Sequence, residues 1–156
     1  MKQSALYFLA FFFLAISCTD IDEDDITPED SDTAIFKVQI EQEGNYDKFL
    51  RSLVFDTDQA VDDDFKNSET NEILEGTLYS ESGELEDSNF TIVTRQKVKS
   101  ISIQALISWT LGVEDGETAS INLSIFINDE IIDTQTITLD GTGSANFQQT
   151  YNAADY

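Results

Sequence analysis

The feature that most constrains the fold is a period-two alternation of apolar and polar residues between positions 98 and 111. From residue 101 every second residue is apolar, and apart from Leu106 the residues between them are serine, threonine and glutamine: Ile101, Ile103, Ala105, Ile107, Trp109 and Leu111. Successive side chains of a strand point to opposite faces, whereas a helix repeats every 3.6 residues. The spacing therefore predicts a strand with one buried face, and no segment has the pattern of an amphipathic helix.

The same alternation recurs along the rest of the domain. Strand patterns at 121–127 and 131–139 flank Asn128 and Asp129, which tolerate the positive φ of a tight hairpin turn. A last strand has three inward positions, Ala145, Phe147 and Tyr151. Weaker patterns lie earlier, at 34–40, 49–55, 73–79 and 90–95. About eight strands at this spacing predict an all-β fold, an antiparallel two-sheet immunoglobulin-like β-sandwich, with a jelly roll as the alternative.

The N-terminus has the layout of a secretory signal. Lys2 precedes an uncharged apolar run from Ala5 to Ile16, which is shorter than the roughly 20 residues that a membrane span needs. Cys18, the only cysteine, follows that run. The segment resembles the lipobox of bacterial lipoproteins, where signal peptidase II cleaves before a diacylated cysteine, although Ile16 and Leu14 depart from its commonest pattern.

The resemblance implies a cleaved signal peptide over residues 1–17 and lipidation of Cys18, whose acyl chains, palmitate among them, would anchor the chain in a bilayer. Two alternatives stay open, an ordinary signal peptide cut near Ser17 and an uncleaved helix. A single unpaired thiol is unusual in an exported protein, which favours the lipid.

Residues 18–32 predict a disordered acidic tether between the lipid and a domain at 33–156. Acidic residues dominate this stretch and basic ones are lacking, so it cannot bury enough apolar area to order itself. Its first acids are similar to the export signal of Bacteroidota surface lipoproteins: Asp20, Asp22, Glu23, Asp24 and Asp25. This likeness implies display on the outer face of the outer membrane. A plain linker, with the domain in the periplasm, is the alternative.

Three further likenesses are present, two of them to Bacteroidota proteins. Asp32-Thr33-Ala34 resembles the short O-glycosylation pattern of Bacteroidota, which implies a glycan on Thr33. Residues 121–151 resemble the closing strands of bacterial Ig-like and CARDB-type domains, and 38–55 resembles the start of small Bacteroidota lipoproteins. The likenesses of 121–151 and 38–55 concern architecture and carry no catalytic residue.

The composition excludes several kinds of chemistry. The chain has no histidine, which rules out His-based catalysis and His metal ligands, and its one cysteine is assigned to the lipid. A net charge of −23 disfavours binding to nucleic acid. Carboxylate pairs are too numerous to indicate a glycosidase, so we expect no enzyme and no cofactor apart from a candidate calcium ion.

The candidate calcium ligands lie in the loop that follows the strand at 49–55. Five aspartates fall there at short spacings: Asp56, Asp58, Asp62, Asp63 and Asp64. Calcium prefers hard oxygen ligands of this kind, but the loop lacks the glycine and terminal glutamate of an EF-hand. A solvated acidic loop without metal is the alternative.

The leading functional hypothesis is a non-catalytic recognition or accessory module of the envelope that binds a glycan or a surface protein. Tyr79 and Phe126 are the candidate ligand surface, because each is a large aromatic at a position that alternation leaves open. For Phe126, burial against a neighbouring element is the alternative. The competing hypothesis is a structural lipoprotein or spacer without a small-molecule ligand.

Overall fold

The computed structural model describes residues 32–59 and 64–156, and ten strands account for most of this chain. Short 3-10 helices occur at Tyr46–Lys48, Ser80–Ser82 and Ala153–Asp155. The strands in chain order are β1 Phe36–Gly44, β2 Leu50–Thr57, β3 Phe65–Asn67, β4 Ile73–Leu74, β5 Thr77–Tyr79, β6 Asn89–Thr94, β7 Ser100–Ser108, β8 Thr118–Ile127, β9 Glu130–Asp140 and β10 Ser144–Asn152.

The strands form two antiparallel sheets. The six-stranded sheet has the order β4-β3-β6-β1-β8-β9, and the four-stranded sheet has the order β10-β7-β2-β5. The inward side chains of both sheets meet in one core, where the rings of Phe55 and Phe65 lie 5.9 Å apart. The predicted all-β, two-sheet antiparallel β-sandwich is therefore confirmed.

Alternation decided the inward residues correctly along most of the long strands. Ile101, Ile103, Ala105 and Ile107 of β7 are buried, and Tyr151 of β10 is 1% exposed. The prediction was wrong for Leu111, which is 95% exposed. β7 ends at Ser108, so the polar-apolar pattern runs on into a loop where it no longer reports a sheet face.

The hairpin between β8 and β9 contains both the predicted turn and an unpredicted bulge. Asn128 and Asp129 adopt φ values of 48° and 70°, as the tight turn requires. Ile125 pairs with Asp133 but Phe126 pairs with Ile131, so one extra residue of β9 is inserted here. Asp133 keeps the inward parity of Ile137 and Leu139, whereas the bulge moves Ile131 to the outer face, where it is 53% exposed.

The segment predicted as one strand at 73–79 is divided between the two sheets. β4 pairs with β3 in the six-stranded sheet, whereas β5 pairs with β2 in the four-stranded sheet. Gly76 lies at the crossing, and its carbonyl accepts the Phe55 amide at 2.6 Å. A Cβ on Gly76 would lie 2.6 Å from the Phe55 carbonyl oxygen, so the crossing needs glycine.

The two ends of the sandwich carry different loops. The chain enters the domain at one end, which we call the Asp32 end; this end holds residues 58–59, 64 and 95–99, together with the 128–129 turn and residues 153–156. The opposite end, which we call the Lys48 end, holds loops 45–49, 80–88, 109–117 and 141–143. Two of the predicted calcium ligands, Asp58 and Asp64, thus lie at the Asp32 end of the domain.

Candidate functional site

Asp58 ties the loop after β2 to the start of β7. Its Oδ1 accepts hydrogen bonds from the Lys99 amide at 2.8 Å and the Ser100 amide at 3.3 Å. The Asp58 amide in turn donates to the Ser100 carbonyl at 3.3 Å. An aspartate side chain that accepts hydrogen bonds from backbone N–H groups in this way holds its loop against the start of β7. Asp58 is consequently fixed at the Asp32 end of the domain.

Asp64 stands on the other side of the same loop and is buried, with 3% of its surface exposed. Its carboxylate accepts a hydrogen bond from the Thr57 hydroxyl, and its carbonyl accepts the Arg95 amide at 2.8 Å. Thr57 immediately precedes Asp58, so the carboxylate of Asp64 lies beside the backbone that carries Asp58. The hydroxyl of Thr57 and the carboxylate of Asp64, both hard oxygen donors, are therefore in contact at the Asp32 end, and Asp58 is the next residue along the chain from Thr57.

The other predicted calcium ligands are not brought into this group. Asp56 lies on the outer face of the four-stranded sheet, where it pairs with Ser102 and is exposed. Asp62 and Asp63 lie outside the described residues. Within 32–59 and 64–156, no three acidic side chains converge as a metal site. Of the five predicted calcium ligands, the described residues thus place Asp58 and Asp64 at the Asp32 end and Asp56 on a sheet face.

The two aromatic residues that were predicted to bind a ligand lie on opposite faces of the sandwich. Tyr79 is 50% exposed on the outer face of the four-stranded sheet. Phe126 is half-buried on the outer face of the six-stranded sheet, where the Lys37 ammonium lies 4.6 Å from its ring centre. The structure therefore does not join them into one surface, because alternation shows that a residue is outward but not on which sheet.

Comparison with known proteins identifies the family. A family model described as "PLAT/LH2 and C2-like Ca2+-binding lipoprotein" matches residues 1–145. The chain belongs to this lipoprotein family. The family description names lipoprotein character and calcium and no reaction, and it places the lipoprotein at the cell envelope, attached to a membrane. No curated protein matches it.

Solved structures from Bacteroidales share the lipoprotein's fold. A DUF4425 domain of unknown function from Bacteroides vulgatus is 17% identical, with a TM-score of 0.62 over 78% of this chain and 97% of that one. The calcium-bound form of a protein from Parabacteroides distasonis is 21% identical, with a TM-score of 0.64 over 76% of this chain and 92% of that one. The β-sandwich is thus shared with these Bacteroidales proteins.

The N-terminal predictions fall largely outside the described residues. Cys18 and the acids of the export segment lie in residues 1–31, so their roles stay predictions. Thr33 is described; it is half-buried and directly precedes Ala34, which pairs with Val98. Among the described residues, no helix is long and apolar enough to cross a membrane.

Sequence reasoning missed a buried polar network at the Lys48 end. Arg51 is 6% exposed, and its guanidinium donates to the carbonyls of Phe49 and Leu85 at 3.3 and 2.8 Å and to the side chain of Gln42. Its guanidinium also lies 5.0 Å from the Tyr46 ring centre. Burial lowers the pKa of Arg51, partly offset by Tyr46 and Asp47. The alternation of β2 places residue 51 on the inward face, but arginine is charged, and charged side chains are seldom buried.

Proposed function

We propose that this lipoprotein is a non-catalytic recognition or accessory module of the outer membrane, which binds calcium at the Asp32 end of its β-sandwich. The observation that carries the proposal is the position of Asp58 and Asp64. Asp58 and Asp64 lie six positions apart at the Asp32 end, the Thr57 hydroxyl donates to Asp64, and the family of this chain is described as calcium-binding.

The donor set fits calcium by its chemistry. Calcium takes six to eight oxygen ligands and accepts carboxylates, carbonyls and water. Asp58 and Asp64 would hold the ion, with the remaining ligands drawn from main-chain carbonyls, water and the adjacent acids of the sequence. A bound cation would offset the repulsion among the carboxylates of this loop and would join β2 to β3.

Thermal unfolding of the detergent-solubilised lipoprotein in EDTA and in calcium chloride tests this site. Because a ligand that binds only the folded state stabilises it, the unfolding midpoint should rise with calcium up to about 10 mM, the range of weak extracellular sites. Asp64→Asn and Asp58→Asn should each reduce the rise. Asp140→Asn, at the exposed end of β9, is the matched control. A wild-type midpoint that does not respond to calcium would contradict the proposal.

Surface display is the second part of the proposal and rests on the acidic export segment. Protease shaving of intact cells should remove the wild-type domain and spare a variant with alanine at the acids between residues 20 and 25. Release of the variant by cell lysis controls for its expression. Protection of both proteins would favour the periplasm and the structural alternative.

The proposed recognition role rests on the side chains that the two sheets present to solvent. The family description names no reaction, and the chain has no histidine. Recognition would therefore use surface complementarity rather than bond-making chemistry. The side chains on the sheet faces therefore decide whether the ligand is a glycan or a protein.

A further inference from the structure

The outer face of the four-stranded sheet differs in charge from the rest of this acidic protein. Among the outward residues of β10, β7, β2 and β5, Asp56 is the only charged one. It is the penultimate residue of β2 and lies near the Asp32 end of the sandwich. The other outward positions carry hydroxyl, amide, aliphatic or tyrosine side chains. We call this surface the neutral face.

Two cross-strand rows make up the centre of the neutral face. Tyr79, Ser52, Leu106 and Asn146 are register partners in one row. Thr77, Val54, Gln104 and Gln148 are partners in the next. With strands about 4.8 Å apart, each row extends roughly 15 Å across the sheet. The rows therefore form a continuous strip with a tyrosine at one end and amides at the other.

A shallow groove runs over these rows. Its volume is about 390 Å³, and its lining includes Ser52, Val54, Gln104, Leu106, Asn146 and Gln148. Tyr79 and Leu106 are 50% and 37% exposed, so apolar surface is presented beside the polar groups.

Among the described residues, the polar side chains at the centre of the neutral face have no hydrogen-bond partner within the protein, whereas at its edge Asn152 donates to Asp155 at 2.9 Å. In the described part of the chain, the side chains of Ser52, Gln104, Asn146 and Gln148 form no hydrogen bond with another residue. On the six-stranded sheet, by contrast, Thr136 donates to Asn122 at 2.8 Å and Thr138 to Ser120 at 3.3 Å. The amides of the neutral face are thus available to a ligand as both donors and acceptors.

We infer that the neutral face binds an uncharged carbohydrate chain; this inference deepens the proposed recognition role and rests on it. A sugar presents hydroxyl groups to amides and C–H surface to a tyrosine ring, which matches the two kinds of group in these rows. An anionic polysaccharide is disfavoured by the net charge of −23. A protein partner or a second copy would remove water from the amides of this face, and each amide left without a new hydrogen bond would weaken the complex.

Affinity electrophoresis of the detergent-solubilised full chain tests the inference. The native gels contain glycogen, yeast mannan, laminarin or soluble xylan as neutral probes, and polygalacturonate as the anionic probe. At least one neutral probe should retard the protein and polygalacturonate should not. Absence of retardation by all four neutral probes, or retardation by polygalacturonate alone, overturns the inference.

Matched variants locate the binding. Tyr79→Ala and Gln148→Ala should each weaken the affinity for the retarding polysaccharide about tenfold or more, as truncation of a central contact does. Tyr156→Ala removes another exposed tyrosine, and Thr136→Ala alters the opposite sheet; both should bind as wild type. Circular dichroism checks that each variant is folded. Equal binding by wild type and Tyr79→Ala overturns the inference.

A photo-crosslinking residue at Gln104 separates this inference from the proposed function. Cross-linking to polysaccharide is expected. Cross-linking on intact cells to protein alone overturns carbohydrate binding while the recognition role stands. Failure of the recognition role itself appears instead as protection from protease shaving together with no ligand of either kind at this position.

Discussion

The hydroxyl of Tyr151 donates a 2.7 Å hydrogen bond to Oδ2 of Asp133, and this bond joins the two sheets at the edge formed by β9 and β10. Burial opposes ionisation of Asp133, but bonds from Tyr151, Gln135 and the Thr134 amide outweigh it and hold the pKa of this carboxyl below its ordinary value. Burial and Asp133 raise the pKa of Tyr151. The pair is therefore a charge-assisted link between otherwise separate edges.

Tyr151→Phe should lower the free energy of unfolding by about 1–2 kcal/mol. The substitution keeps the buried ring but removes the donor, and a half-buried carboxylate without its partner loses a charge-assisted bond. Urea denaturation measures the effect. Tyr79→Phe, whose hydroxyl is on the surface, should change stability by less than about 0.5 kcal/mol. Equal effects of the two substitutions would argue against the inter-sheet bond.

The contribution of Asp133 should depend on pH in a defined direction. Its folded-state pKa is lowered, so its stabilisation is fully present above the unfolded pKa of about 3.9 and is lost as the pH falls through the folded value. Urea unfolding of wild type and Asp133→Asn near pH 7, pH 4 and pH 3 measures this. The difference between the two proteins should shrink on acidification; a constant or growing difference would contradict the assignment.

Arg51→Met should destabilise the domain by about 2–4 kcal/mol. Methionine fills similar volume, but the Leu85 carbonyl and the Gln42 side chain lose the charged donor that they share. Lys48→Met is the matched control at the same end of the sandwich. It removes the Lys48–Glu117 ion pair, whose lysine side chain is 41% exposed and whose glutamate is 15% exposed. Surface pairs of this kind contribute up to about 1 kcal/mol, so its urea midpoint should stay closer to wild type than that of Arg51→Met.

Gly76→Ala should destabilise the domain by about 1–3 kcal/mol, because the new methyl group meets the Phe55 carbonyl oxygen and the backbone must shift. Gly112 has no atom near its Cβ position and no positive φ. Gly112→Ala should therefore be neutral or stabilising by up to about 1 kcal/mol. Thermal unfolding of both variants measures the contrast. A stable Gly76→Ala protein would show that the crossing between sheets tolerates a side chain.

The sequence predicted strand positions and inward faces well because alternation reflects local backbone geometry. Ile101 to Ile107 and the β8–β9 turn followed directly from residue type. The pattern failed where a tertiary event interrupted it, as at Leu111 beyond the end of β7. Likewise, the extra residue in β9 reversed the face of Ile131, and only the pairing with β8 reveals that insertion.

For the functional surfaces, sequence alone identified residue types and the structure identified neighbours. The aspartates after β2 pointed to calcium chemistry, but the burial of Asp64 and the binding of Asp58 to β7 depend on residues about 40 positions away or on packing. Tyr79 was recognised as a candidate, whereas its row partners were not. Ser52 and Asn146 join it only through sheet pairing.

By itself, the sequence determined that this chain forms strands with one apolar face, that its domain is strongly acidic and that histidine chemistry is absent. Only the tertiary structure decided which sheet each strand joined, that Arg51 is buried, and that the outward residues of β10, β7, β2 and β5 form one nearly uncharged surface. The physical reason is range: alternation is set by adjacent peptide units, whereas a sheet face is assembled from strands distant in sequence whose order is chosen by packing of the whole core.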